Sequence, residues 1–226
     1  MSGFRIPIHS AGWPFVGIAA AVTAGLALID PLLGLVGAVA TVAVALFFRD
    51  PDRTPPADGK VLLSPADGVV QAIASAAPPP ELNAGDHERT RISVFMSVLD
   101  VHVNRIPVDG TVRRLAYRPG QFINASLDKA SEANERQSVL IEGLDGTRTV
   151  MVQIAGLIAR RIRCDLTEGL TVSAGSRFGI IRFGSRVDVY LPDGAEPRVA
   201  VGERTIAGET VLAAFVNAPT SDEPGD

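Results

Sequence analysis

The chain has 226 residues with 21 basic and 25 acidic side chains, a near balance that offers no nucleic-acid surface. Its single cysteine, Cys164, excludes an internal disulfide framework and a multi-thiolate metal centre, and three histidines (His9, His87, His102) do not support a histidine-rich metal site. The length suits one ordinary domain with an accessory segment. From Ser185 onward three Arg face eight Asp or Glu, so residues 1–184 carry about one net positive charge.

Residues 14–48 hold no charge except Asp30. Asp30-Pro31 ends one helix and starts another, because the residue before proline leaves the α region while proline fits a first helical turn. The halves, 13–29 and 32–48, each span about 25 Å as helix. That is slightly short of a hydrocarbon core of about 30 Å. Arg5 and His9 precede the pair, and Arg49, Asp50 and Arg53 follow it. These flanks predict a membrane-associated helical hairpin over 1–49 with both ends in the cytoplasm. A signal peptide fits less well, since the apolar region is twice the usual length and lacks a small-residue cleavage site. A hairpin buried in a soluble core is the alternative.

Asp50-Pro-Asp-Arg-Thr-Pro-Pro-Ala-Asp58 reads as a proline-rich linker. Beyond it come short β-branched runs punctuated by Gly, Pro, Asn and Asp. They predict strands at 60–63, 68–74, 91–96, 111–117, 138–142, 148–154, 170–172, 178–182, 186–191 and 210–215. Residues 76–88 form a loop with three consecutive prolines, and 125–134 form a short helix or a polar loop. The acidic tail 217–226 has the composition of a disordered segment. The expected fold is mainly β (α+β): a compact β-rich domain over 59–216 behind the helical hairpin.

Two Gly-Ser steps stand out, Gly175-Ser176 and Gly184-Ser185. A serine after glycine in a tight strand connection can attack the preceding carbonyl, which glycine leaves open. If the resulting ester eliminates, the serine becomes dehydroalanine and then a pyruvoyl group. Gly-Ser is also a common turn dipeptide, and spacing alone does not separate the two steps.

Ser64-Pro-Ala-Asp-Gly68, Asp100-Val-His-Val-Asn-Arg-Ile-Pro107, Tyr117-Arg-Pro-Gly-Gln-Phe-Ile-Asn124, Asn134-Glu-Arg136, Gln153-Ile-Ala-Gly-Leu-Ile-Ala-Arg-Arg-Ile162 and Arg177-Phe-Gly-Ile-Ile-Arg-Phe-Gly-Ser-Arg186 follow in order. Together, over about residues 45–216, they resemble the phosphatidylserine decarboxylases of the short, membrane-associated, pyruvoyl-dependent form. The resemblance implies a proenzyme that cleaves itself between Gly184 and Ser185. A β chain, 1–184, would keep the hairpin, and an α chain, 185–226, would carry the pyruvoyl group. The two would form a heterodimer, and a higher oligomer is open. The group would form a Schiff base with phosphatidylserine in the membrane and accept the electrons released with CO2, giving phosphatidylethanolamine. Neither a metal nor pyridoxal phosphate is implied.

The resemblance selects Ser185 over Ser176. It makes His102 the candidate acid/base, an imidazole that titrates near neutrality. Asp67 matches the aspartate of a Ser-His-Asp relay. Asp100 competes for that role, because residues two apart on a strand share a face. Longer relatives have two histidines spaced three apart where this chain has His102 and Arg105. Arg105 is suited to holding a carboxylate or phosphate. Asn104, Tyr117, Phe122, Asn124, Arg160 and Arg161 are the remaining substrate-binding candidates, with Arg160, Arg161 and Arg163 forming a basic cluster.

Val201-Gly-Glu-Arg-Thr-Ile-Ala-Gly-Glu-Thr-Val-Leu212 resembles barrel-sandwich carriers of lipoyl or biotinyl groups. Such a carrier needs a lysine at a hairpin tip, and the chain's two lysines, Lys60 and Lys129, lie elsewhere. A serine peptidase is disfavoured because Phe-Gly-Ser-Arg is not a nucleophile elbow. A decarboxylase of another serine-headed lipid is the nearer alternative.

Overall fold

The computed structural model describes residues 7–56, 60–121, 125, 133–156, 162–182 and 184–215. Two helices come first, α1 (Trp13–Ile29) and α2 (Pro31–Phe47). Asp30 lies between them in extended conformation, and its Oδ1 accepts from the Leu32 and Leu33 amides at 2.7 and 3.2 Å. That carboxylate caps α2 while Pro31 prevents α1 from continuing. Small residues bring the helices together. A Cβ on Gly34 would overlap Ala27, one on Gly37 would press on Thr23, and the Thr23 and Thr41 hydroxyls meet at 2.9 Å.

The rest of the hairpin surface is apolar and uncovered. No residue of α1 is buried, and Leu28 is 90% exposed. The helical segment Ser10–Ile29 is long and apolar enough to cross a membrane. Among the described residues, the hairpin packs on the remainder of the chain at its foot. Phe47 and Phe48 are buried with Ile8, Val44, Val101, Val103 and Ile180. Burial of each ring contributes about 1.5–3 kcal/mol.

The strands are β1 (Val61–Leu63), β2 (Gly68–Ala76), β3 (Arg89–Met96), β4 (Val103–Arg105), β5 (Gly110–Arg118), β6 (Arg136–Glu142), β7 (Arg148–Ala155), β8 (Ile162–Cys164), β9 (Thr171–Val172), β10 (Arg177–Ile181), β11 (Ser185–Tyr190), β12 (Ala195–Pro197), β13 (Arg204–Thr205) and β14 (Val211–Phe215). The fold is mainly β, as expected. Each strand read from the sequence is present, with ends displaced by at most two residues. Strands β4, β8, β12 and β13 were not foreseen, being too short to show a period of two.

Eight strands form one curled antiparallel sheet, β13-β2-β3-β11-β7-β6-β5-β9, and two three-stranded sheets, β1-β14-β12 and β4-β10-β8, complete the domain. Strand β11 lies inside the large sheet, paired with β3 from Ser185↔Met96 to Tyr190↔Arg91 and with β7 from Ser185↔Ala155 to Tyr190↔Val150. All six of its residues are buried. Val187 and Val189 join a core with Val70, Ile92, Val94 and Met96; Tyr190 packs on the opposite face with Leu82, Val150, Val152 and Ile154. On that second face Arg186 pairs with Asp188 at 2.8 Å, both wholly enclosed.

Residues 50–56 run bound along the domain rather than as a free tether. Asp50 pairs with Arg177 at 2.7 Å, Arg53 with Asp67 at 2.8 Å, and the Thr54 amide donates to Glu209 at 3.0 Å. Cys164, half-buried on β8, packs against the Ile106–Phe178 core, and burial pushes its thiol pKa up. It is a packing residue, not a thiolate.

Candidate active site

The site forms where β11 begins. Gly184 adopts a left-handed conformation with φ +65°, which a side chain would resist, and turns the chain into the sheet. Ser185 follows with no exposed surface, and its Oγ has no hydrogen-bond partner among the described residues. An orphaned buried hydroxyl costs about 1–3 kcal/mol. A fold tolerates such a group where chemistry uses it.

His102 precedes β4 and is also fully buried. Its Nδ1 lies 2.9 Å from the backbone carbonyl of Asp100. A carbonyl only accepts, so Nδ1 carries the proton and Nε2 presents its lone pair. The Gly184 amide donates to that Nε2 at 3.4 Å. Phe47 packs against the imidazole ring, with centroids 4.3 Å apart and planes tilted by 39°. Burial lowers the His102 pKa to about 4, despite the opposing pull of Asp100. The imidazole is therefore neutral at physiological pH and able to accept a proton.

Gly156, just after β7, approaches the same point from the other side. A Cβ on it would overlap the Gly184 carbonyl oxygen. The backbone can come this close to the bond before Ser185 only without a side chain. Deeper in the fold, Gln153 donates to Asn104 Oδ1 at 2.8 Å, and the Asn104 amide lies 3.6 Å from Met96 Sδ. Met96 and Ala155 flank Ser185 on the neighbouring strands. Asn104 is thus tied into the wall below Ser185.

Among the described residues, Asp67, expected as a relay member, makes no hydrogen bond or ion pair with His102 or Ser185. Its carboxylate accepts from the Ala207 amide and from Arg53, each at 2.8 Å, and burial raises its pKa against those two contacts. Asp100 orients His102, but through its backbone carbonyl. Its carboxylate accepts from the Ser97 amide and pairs with Arg204. Burial disfavours that charge, yet the Ser97 and Arg204 contacts outweigh it and hold the pKa below the usual carboxylate range.

Arg105 is also committed elsewhere, donating to the Gly175 and Pro51 carbonyls at 2.8 Å each. It fastens the segment after the hairpin and makes no hydrogen bond to Ser185 or His102 among the described residues. Tyr117 is exposed and donates to Glu135 at 3.1 Å. Arg163 pairs with Asp165 on the surface. Phe122, Asn124, Arg160, Arg161 and residues 126–132 of the 125–134 segment lie outside the described residues. Sequence reasoning missed Phe47 and gave Gly156 no role. The only hint was an aromatic pair, Phe47-Phe48, closing an otherwise aliphatic run.

The residues at β11 fit an internally derived carbonyl group. Ser185 is enclosed and unbonded, Gly184 is left-handed, and Gly156 leaves room that a side chain would fill. The sequence pattern of the phosphatidylserine decarboxylase family matches residues 41–213. A phosphatidylserine decarboxylase proenzyme of Paramagnetospirillum magneticum is 59% identical over 92% of this chain and 86% of its own length. The proenzymes so named from Ruegeria pomeroyi and Rickettsia africae are 56% and 52% identical, over 93% and 97% of this chain and 96% and 94% of theirs. The chain belongs to the phosphatidylserine decarboxylase family and is a decarboxylase, a lyase of phospholipid biosynthesis made as a zymogen.

Proposed function

We propose that this chain cleaves itself between Gly184 and Ser185 and that the two fragments together decarboxylate phosphatidylserine to phosphatidylethanolamine at a membrane surface. One observation carries the reading: the buried, unpartnered Ser185 hydroxyl follows a left-handed glycine whose amide reaches a neutral histidine. The substrate follows from the names of the relatives.

Ser185 Oγ attacks the Gly184 carbonyl carbon, and His102 Nε2 takes the hydroxyl proton and passes it to the departing Ser185 nitrogen. The C–N bond breaks as the C–O bond forms, giving an ester. Neutral again, His102 removes the Ser185 Cα proton, and the Gly184 carboxylate leaves. Water then replaces the nitrogen of residue 185 as ammonia, which leaves a pyruvoyl carbonyl at the new amino terminus. In turnover this carbonyl supplies an electrophile for the substrate amine and a sink for the electrons released with CO2. His102 Nε2 is the group that delivers a proton to the substrate carbon.

The exposed apolar hairpin supports a lipid location, since water does not tolerate so large an apolar surface. Arg49 and Arg53 beyond α2 favour a cytoplasmic domain. Strand pairing supports a lasting heterodimer, because β11 stays between β3 and β7 and β14 stays beside β1 after the cut. Intact mass of the purified protein tests the reading. Two fragments meeting at 184/185, the smaller with a blocked amino terminus, and CO2 release from phosphatidylserine are expected. An active uncleaved chain would refute it.

A further inference from the structure

The foot of α2 and the loop between β3 and β4 line an open apolar recess of about 480 Å³. Its lining includes Val44, Leu46 and Phe47 from α2, Val98 and Leu99 from the loop, and Arg49. The size falls in the range of small-molecule sites, about 300–1,000 Å³. Three features give it a direction. The loop residues face outward, with Leu99 83% and Val98 49% exposed, so they do not complete a core. Phe47 belongs both to this wall and to the His102 contact, which sets any occupant one ring away from the imidazole.

Arg49 supplies the third feature. It donates to the Leu46 and Leu99 carbonyls and so fastens the loop to the helix. Among the described residues no carboxylate lies within ion-pair distance of it. Carbonyl contacts leave its charge uncancelled beside an apolar recess. That combination suits one ligand chemistry, an acyl chain joined to a phosphate. The recess also continues the uncovered apolar surface of the hairpin, through Val42 and Leu46.

We infer that this recess holds an acyl chain of the phospholipid substrate, with Arg49 facing its phosphate and Phe47 separating the chain from His102. The inference rests on the lipid-decarboxylase reading given above and adds to it the place where the lipid is gripped.

The test compares dioleoyl- with dihexanoyl-phosphatidylserine in mixed micelles, using the full chain, after gels establish that each variant cleaves as the parent does. The double variant Val98→Ser/Leu99→Ser should raise KM for the long-chain lipid about tenfold and for the short-chain lipid by less than about twofold. Arg49→Gln should raise KM for both lipids, and Arg49→Lys should restore most of the loss. Leu144→Ser, on a distant exposed turn, serves as the control. Equal losses on both lipids from the Val98/Leu99 double variant, or no loss on either lipid from any of these variants, would overturn the subsite.

A second measurement does not depend on processing. The uncleaved Ser185→Ala chain in nanodiscs, irradiated with a phosphatidylserine carrying a photoreactive acyl chain, should give adducts on residues 43–49 and 98–99. Adducts confined to the outer faces of the helices would overturn it. If the parent protein releases CO2 from neither lipid, the functional reading falls and the subsite with it. An active parent with indifferent variants removes the subsite alone.

Discussion

Gly175-Ser176 and Gly184-Ser185 are built alike at the backbone and differ in everything around it. Both glycines are left-handed, with φ +76° and +65°. At the first, the serine is exposed, its hydroxyl donates to the Ser173 carbonyl at 2.5 Å, and the glycine carbonyl accepts from Arg105. At the second, the hydroxyl is enclosed and unbonded, and a neutral imidazole touches the glycine amide. A left-handed glycine alone makes a turn; what sets the second step apart is an enclosed hydroxyl next to a glycine whose amide meets an imidazole.

The largest expected effect comes from removing that nucleophile. Ser185→Ala should abolish both cleavage and CO2 release, with a melting temperature no lower than the parent precursor's, because an orphaned buried hydroxyl contributes no hydrogen bond. Ser176→Ala should leave processing complete on the same gel and shift stability by less than about 0.5 kcal/mol. Cleavage in Ser185→Ala, or its loss in Ser176→Ala, would reverse the assignment.

His102→Gln comes next, slowing self-cleavage by about 10²–10⁴-fold in a time course of freshly synthesised precursor. The glycines give a third contrast. Gly156→Ala presses on the Gly184 carbonyl and should slow processing while the sheet still forms. Gly175→Ala meets Pro55 and an unfavourable φ. It should cost about 1 kcal/mol or more of stability and leave the cleavage chemistry intact.

The smallest effect concerns pH. With its pKa near 4, His102 stays a base well below neutrality, so cleavage rates attributable to it should be flat from about pH 7 to 5 and fall only towards pH 4. An inflection near 6.5 would mean an imidazole in water. The folded pKa is depressed, so the unfolded chain takes up the proton first as pH falls. Stability is therefore lost between about pH 6.5 and 4, by up to about 3 kcal/mol from this group. Thermal melts of the Ser185→Ala precursor across that window measure it.

Much of this architecture was legible because it rests on local signals. The hairpin shows in an uncharged run broken at Asp30-Pro31, and the longer strands show in β-branched runs bounded by turn residues. The site was legible only as a set of tracts. Sequence brings Asp67, Asp100 and His102 into consideration together, but a backbone carbonyl as the imidazole's partner leaves no mark on residue identity. Arg105 suits anion binding by its chemistry, and two distant carbonyls, at Pro51 and Gly175, claim it instead. Phe47 belongs by pattern to the hairpin and by contact to the site, across 55 residues of chain.

The position of β11 has a consequence for how the protein can be made. While the chain is whole, closing the loops that bring β11 between β3 and β7 costs only the entropy of a tether. After the cut, the same strand would have to find its slot as a separate molecule, at a concentration far below that of a tethered segment. If the chain cleaves as proposed, assembly is a property of the precursor, and the processed protein would be retained chiefly by the barrier to strand release. Unfolded and returned to buffer, Ser185→Ala should regain its fold, whereas the cleaved protein, chemically complete in both pieces, should not.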